Sequence, residues 1–171
     1  MAPEIDIAII NFSDSAEVEM LIELLQAHRK DMLKHSPPES VHALDIDAIK
    51  SPSLTFWGVS IGVSEQLVQL TREPIIACAA LNRLSEQHVE LKSMKVSDDY
   101  LGQGIGRVLL NHVLAYAKRT GYKRVSLETG TMPVFVVARS LYESVGFDQC
   151  APFSNYVYDQ NSACMSLNLS D

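Results

Sequence analysis

The run Tyr100-Leu101-Gly102-Gln103-Gly104-Ile105-Gly106-Arg107 constrains this chain more than any other stretch. It lies between a strand-like run, Val89 to Val96, and a strongly amphipathic segment that begins at Ile105. Glycines at alternate positions remove Cβ atoms from the turn, so several backbone N–H groups can converge on one ligand. A helix starting there leaves its first amides without internal acceptors, and its dipole favours an anion at that end. Such a unit is either a flexible connector or a cradle for a pyrophosphate.

Two familiar phosphate loops do not fit. The dinucleotide fingerprint needs a small residue where Arg107 stands, and the nucleotide P-loop needs a Lys-Ser/Thr pair that does not follow. Leu101-Gly102-Gln103-Gly104-Ile105-Gly106 does resemble Q/R-x-x-G-x-G/A, the pyrophosphate loop of the GNAT superfamily of N-acetyltransferases. Leu101 stands where Gln or Arg is usual, which removes one side-chain contact and leaves the backbone donors intact. Upstream, Glu90-Leu91-Lys92-Ser93-Met94-Lys95-Val96 resembles the family's fourth strand. Downstream, Ala138-Arg139-Ser140-Leu141-Tyr142-Glu143-Ser144-Val145-Gly146-Phe147 resembles its A-x-x-L-Y-E-x-x-G-F signature. The resemblance spans about Ile75 to Phe147, with its motifs in family order.

This resemblance implies an α/β fold: a mixed, largely antiparallel central sheet flanked by helices on both faces. It implies acetyl-CoA as cosubstrate. Leu101, Gly102, Gln103, Gly104, Ile105, Gly106 and Arg107 would hold the pyrophosphate, with Arg139 also on the cofactor side. Met94, Lys95 and Val96 would face the pantetheine arm and the acetyl carbonyl through a bulged strand, where a freed N–H would stabilise the oxyanion. Phe135 stands where many relatives carry an Asn that binds the pantetheine arm.

The chemistry sets its own demands. An alkyl ammonium has a pKa of roughly 10.4 and must lose a proton before attacking a thioester. The leaving thiolate needs a proton in return. Positioned acids and bases contribute about 10²- to 10⁴-fold to such steps. Glu90, at the start of the strand leading into the glycine turn, is the candidate base, with His88 as competitor. Strand alternation puts Glu90, Lys92 and Met94 on one face. Tyr142 is the candidate acid, by resemblance; its alternative is a core tyrosine. The resemblance places the amine acceptor against the first two helices and the loop after the fifth strand, which points to His35 and Glu39, and to Glu128 and Thr129.

Composition narrows the partners. At 171 residues, with 47% hydrophobic and 20% charged residues, the chain suits one domain, residues 1–171, with one sizeable core. A net charge of −7 argues against nonspecific nucleic-acid binding and against an acidic membrane surface. No apolar run approaches a membrane span. Met1 to Asp6 lacks the basic region and apolar core of an export signal, so a cytoplasmic setting is expected. Cys78, Cys150 and Cys164 have no metal-ligand spacing, and no metal is expected. A homodimer is left open.

Along the chain, Ile5 to Ile10 reads as a strand. Asp14-Ser15-Ala16-Glu17 reads as a capping box before a helix to about Lys34. Ser36-Pro37-Pro38-Glu39 breaks it and could open a second helix through about Ile49. Strands are expected over Thr55 to Val63, Ile75 to Leu81, Val89 to Val96 and Arg124 to Thr129, with a polar turn from Ser64 to Pro74. A helix follows from Ile105, stopped by Lys118, Arg119 and Gly121, and another spans Phe135 to Val145. The tail carries β-like Tyr156 to Tyr158 and Ala163 to Leu169.

The reading is an acetyl-CoA-dependent N-acetyltransferase. It acetylates a small-molecule or amino-acid-like amine by direct attack in a ternary complex. A protein Lys or N-terminal acetyltransferase is the enzymatic alternative, and a noncatalytic acyl-CoA-binding module the other.

Overall fold

A computed structural model describes residues 4–62 and 73–169. Its strands are β1 (Ile5–Ile9), β2 (Leu54–Ile61), β3 (Ile75–Arg83), β4 (His88–Val96), β5 (Arg124–Gly130), β6 (Asp148–Gln149) and β7 (Ser162–Asn168). They form one sheet in the order β1-β2-β3-β4-β5-β7-β6. The helices are α1 (Ser15–His35), α2 (Ile105–Arg119) and α3 (Val136–Ser144). Every strand pair is antiparallel except β4 with β5. A parallel pair needs a crossover, and α2 supplies it.

Strand alternation divides the core between the two faces. Phe56, Cys78 and Ala80 join Leu21, Leu24 and Leu25 of α1. Trp57, Val59, Ala77 and Ala79 join Leu109, Leu110 and Val113 of α2 on the other face, with Tyr142 of α3. Fully buried side chains such as Leu21 and Leu109 each contribute roughly 1.5–3 kcal/mol. Leu109→Ala would cost about 2–5 kcal/mol through lost transfer energy and the cavity left behind.

Local chemistry sets the helix ends. The Asp14 side chain accepts from the amides of Ala16 (3.0 Å) and Glu17 (3.4 Å). The Glu17 carboxylate accepts from the Asn11 amide at 2.8 Å, so part of the expected capping box reaches one turn further back. Helix α2 buries Ile105, Leu109, Leu110, Val113 and Ala117, carries Lys118 and Arg119 in its last turn, and is followed by Gly121 at φ +95°.

Two expectations are corrected. Residues 37–49 form no continuous second helix. They hold two 3₁₀ turns, Pro38–Ser40 and Ile46–Ala48, joined by an irregular link whose end residues, Val41 and Asp45, are extended. The Asp45 side chain accepts from the Asp47 amide, a local bond that competes with helix continuation. Tyr156 to Tyr158 is not a strand; the last hairpin is built from β6 and β7, and Tyr156 lies in the loop between them. The expected polar turn from Ser64 lies largely outside the described residues, as do Met1 to Pro3 and Val63. No described helix is long and apolar enough to cross a membrane.

Candidate active site

The site forms where β4 and β5 part. Their parallel register covers only His88 with Arg124, Val89 with Val125 and Glu90 with Ser126. Beyond Glu90 the strands run on, to Val96 and Gly130, without pairing to each other. A bulge in β4 accompanies the split. The β3 register passes from Cys78 opposite Lys95 to Ala80 opposite Lys92, so Ser93 and Met94 together oppose Ala79. Ser93 takes a left-handed φ of 53°, and its carbonyl accepts the Cys78 thiol at 3.4 Å. The expected bulge is therefore present. It also breaks the alternation that put Met94 on the face of Glu90 and Lys92.

A cleft of about 100 Å³ passes through this split. From the α2 face it is lined by Leu91, Leu127, Ala138 and Tyr142, and Phe135 lines it at the end of β5. From the α1 face it is lined by His28, Met32, His42, Glu90, Lys92, Glu128 and Tyr156. Thr129 and Met94 lie at the split itself. Phe135 packs against Gly130, where a Cβ would overlap its ring. Gly130 thus lets an aromatic wall stand at the end of β5.

Glu90 is 3% exposed and fully engaged. Its Oε1 accepts from the Tyr156 hydroxyl (2.5 Å) and from Lys92 Nζ (3.0 Å), and its Oε2 from Asn82 Nδ2 (3.4 Å). Lys92 Nζ also donates to the Tyr156 hydroxyl oxygen at 2.8 Å, closing a triangle. Burial first, and then the Glu90 charge, push the Tyr156 phenol far above its ordinary value. Its ring packs edge-on with His42 (5.1 Å between centroids) and with Phe153 (5.0 Å). The sequence marks Tyr156 only as part of a β-like run, and its place at the site comes from the fold of the loop that carries it.

Glu128 lies on the face of β5 that also carries Arg124 and Ser126. Burial raises its carboxyl above the usual range; the Ser162 hydroxyl, then His42 and Lys92, oppose this, and the nearby Glu90 charge adds to it. Tyr142 is buried, and burial pushes its phenol up to about 12, so it is protonated at neutral pH. Its ring meets Phe147 edge-on at 5.8 Å. It is a core residue and a cleft residue together. His88 does not line the cleft; its Nε2 pairs with Ser126 Oγ at 2.7 Å, and burial lowers its pKa.

The glycine turn sits at the start of α2. Gly102 and Gly104 take left-handed φ of +74° and +81°, and Gly104 caps the helix. The helical ladder begins with Val108 N–H on Gly104 O at 3.1 Å, so the amides of Ile105, Gly106 and Arg107 precede the first rung. A Cβ at Gly102 or Gly104 would meet no protein atom within 4 Å, so the loop surface is open to a ligand. Ile105 is buried, Leu101 is 59% exposed, and the Gln103 amide donates to Asp99 O at 3.3 Å.

Other expected residues have structural work. Arg107 Nη2 donates to Ser144 Oγ (2.9 Å), tying α2 to α3. Arg139 Nη1 donates to the Gly130 carbonyl (2.6 Å) and so anchors α3 to the end of β5. Lys95 pairs with Asp31 (2.7 Å) and Asp98 (2.9 Å), joining α1 to the segment before the glycine turn. Val96 packs against the α2-side core. His35 and Glu39 are exposed and do not line the cleft. From that region of the chain, His28, Met32, His42 and Ala43 reach it instead. No cluster of three potential metal ligands occurs among the described residues.

Comparison with known proteins agrees with this geometry. The model of the Acetyltransferase (GNAT) family matches residues 21–147. The chain is 38% identical over 156 residues to the uncharacterized N-acetyltransferase YsnE of Bacillus subtilis (strain 168), covering 91% of this chain and 97% of that one. It is 38% identical over 148 residues to the uncharacterized N-acetyltransferase YedL of Escherichia coli (strain K12), covering 86% and 87%. In fold it matches the crystal structure of a GNAT-family acetyltransferase from Staphylococcus aureus Mu50, with a TM-score of 0.70 at 24% identity over 98% and 100% of the two chains. A bulged β4 parting from β5, a glycine turn opening α2 and these relatives lead to one conclusion: the chain belongs to the GNAT acetyltransferase family and is an N-acetyltransferase.

Proposed function

We propose that the protein moves the acetyl group of acetyl-CoA to a primary amine in a ternary complex, and that the cleft between β4 and β5 is where the two substrates meet. One observation carries this reading. The cleft crosses the sheet, with Glu90 on the α1 face and Tyr142 on the α2 face. An amine entering from one side and a thioester from the other would each find the group its half of the reaction needs.

The residues at the start of α2 fit a pyrophosphate. Three amides precede the first helical rung, and two left-handed glycines leave the loop surface open. The Met94 amide, in the bulge facing the split, is the oxyanion donor in this reading. Glu90 takes the ammonium proton, directly or through one water. Its Oε1 already accepts two donors, so Oε2 is the receiving atom. The freed amine attacks the carbonyl carbon, the C–N bond forms, and the C–S bond breaks. Tyr142, held protonated by burial, gives its proton to the departing sulfur, and the proton that the attacking nitrogen sheds on becoming an amide restores the phenol.

All described strands share one sheet, which suits a single catalytic domain. Three free thiols suit a reducing cytoplasm. The test is a screen of primary amines for thiol release from acetyl-CoA, with calorimetric titration of coenzyme A. Tight coenzyme A binding and amine-dependent thiol release are expected. Binding without thiol release for any amine would replace this reading with a noncatalytic acyl-CoA-binding one.

A further inference from the structure

Cleft residues carrying chemistry fall into two sets, and their balance bears on the acceptor. Two carboxylates, buried Glu90 and half-buried Glu128, face the cleft from adjacent strands. The residues lining it that can carry positive charge are His28, His42 and Lys92. Lys92 is bound to Glu90 and to the Tyr156 hydroxyl. His28 is kept neutral by burial, with its pKa lowered to about 4. His42 packs against the Tyr156 ring, where any charge it carries acts on Glu128.

The other cations of this region, Arg124, Arg139 and Lys95, do not line the cleft. Arg124 shares the face of Glu128, and its Nη2 reaches Ser166 Oγ at 3.5 Å. Arg139 is held by the carbonyls of Gly130 and Met132. Lys95 is held by Asp31 and Asp98. Among the described residues lining the cleft, therefore, a substrate carboxylate would meet two carboxylates and, beyond the His42 imidazole beside Glu128, no cation that is not already paired. Burying an unpaired charge costs far more than burying a neutral group.

Resting on the acetyl-transfer reading above, we infer that the acceptor is a primary amine whose α-carbon bears no free carboxylate, and that Glu128 docks its ammonium group. Two sources share that chemistry: a simple alkylamine, and an α-amino amide of the kind that begins a peptide. A free α-amino acid is disfavoured. Like charges facing one another exclude a partner as effectively as good contacts select one.

The experiment uses matched sets on the full chain: alanine, alaninamide and ethylamine, then leucine, leucinamide and isoamylamine. Affinity is measured by calorimetry on protein saturated with coenzyme A, and kcat/KM by thiol release from acetyl-CoA. The amide or the amine of each set is expected to bind at least about tenfold more tightly than the acid. Glu128→Gln is expected to remove most of that advantage, and which of the two neutral forms binds better identifies the source. An acid that binds as well as its amide, or failure of every amide and amine to bind, overturns the inference. Because the binding order is read without turnover, absence of thiol release would count against the acetyl-transfer reading alone.

Discussion

The Tyr156 hydroxyl lies 2.5 Å from Glu90 Oε1, although 66 positions separate the two residues in the chain. The contact ties the loop before β7 to the strand that carries the proposed base. Tyr156 donates to Glu90 and accepts from Lys92, so one phenol orients both charged groups. Tyr156→Phe keeps the edge-on ring contacts and removes the donor. We expect kcat to fall about tenfold while coenzyme A affinity holds, because the residue acts through Glu90. A calorimetric titration beside steady-state rates checks this; an unchanged kcat would leave Tyr156 as a packing residue of the loop.

Glu90→Gln keeps the shape and removes the carboxylate. If Glu90 accepts the ammonium proton, the loss in kcat/KM should reach about 10²-fold or more near neutral pH. It should shrink as pH approaches the amine's own pKa of roughly 10.4, where free amine is abundant. A pH profile for both proteins decides it. An equal loss at every pH would assign Glu90 an electrostatic or orienting role instead.

Tyr142→Phe removes a hydroxyl that has no hydrogen-bond partner among the described residues, so the fold should lose little. Turnover should drop by about 10²-fold with cofactor affinity nearly intact, since proton delivery belongs to the leaving-group step. Single-turnover rates of thiol release test it. Wild-type rates would return Tyr142 to the core alone.

Two glycines in the turn should fail for different reasons. Gly104→Val places a branched side chain at φ +81°, a strained backbone for any L residue, although no protein atom stands in its way. At Gly106 a Cβ would find ordinary contacts with Met94 (3.5 Å), Leu141 (3.6 Å) and Val96 (3.7 Å). Both variants should lose most coenzyme A affinity, and Gly104→Val should also lose stability, by about 1–3 kcal/mol. Urea unfolding and coenzyme A titration separate the two effects. Unchanged affinity in a folded Gly106→Val protein would remove the turn from cofactor binding.

His28 gives stability a pH dependence of definite sign. Its folded pKa of about 4 lies below its ordinary 6.5, chiefly through burial, so the unfolded chain binds the proton more readily. Its contribution is fully present above about pH 6.5 and is lost as pH falls towards 4. The full swing is at most about 3 kcal/mol. His88, also lowered by burial, acts in the same direction. His28→Gln should therefore flatten, without abolishing, the decline in Tm between about pH 7 and pH 5. An identical decline in the variant would show that His28 is not held neutral.

Much of this architecture was legible in residue order because its causes are local. The glycine turn before α2 needs only neighbouring residues, and apolar periodicity marks Ile105 to Ala117 as a helix wherever it packs. Ser36-Pro37-Pro38 ends α1 by fixing backbone angles. The bulge in β4 was accessible only by resemblance; its cause, the fit of Ser93 and Met94 against Ala79, is a pairing between strands.

Tertiary structure decided what the cleft contains. His35 and Glu39 sit near its wall in sequence but are exposed, while His28 and His42 reach it because α1 packs on the sheet and residues 41–45 form no helix. Tyr156, in a stretch whose composition reads as a strand, becomes the partner of Glu90 because the β6–β7 loop folds back over β4. Arg107 and Arg139, expected on the cofactor side, each also bond across a helix or strand end, to Ser144 and to the Gly130 carbonyl. Chain order specifies which elements form. Which side chains share a cavity depends on contacts between elements dozens of residues apart, and no local pattern encodes those.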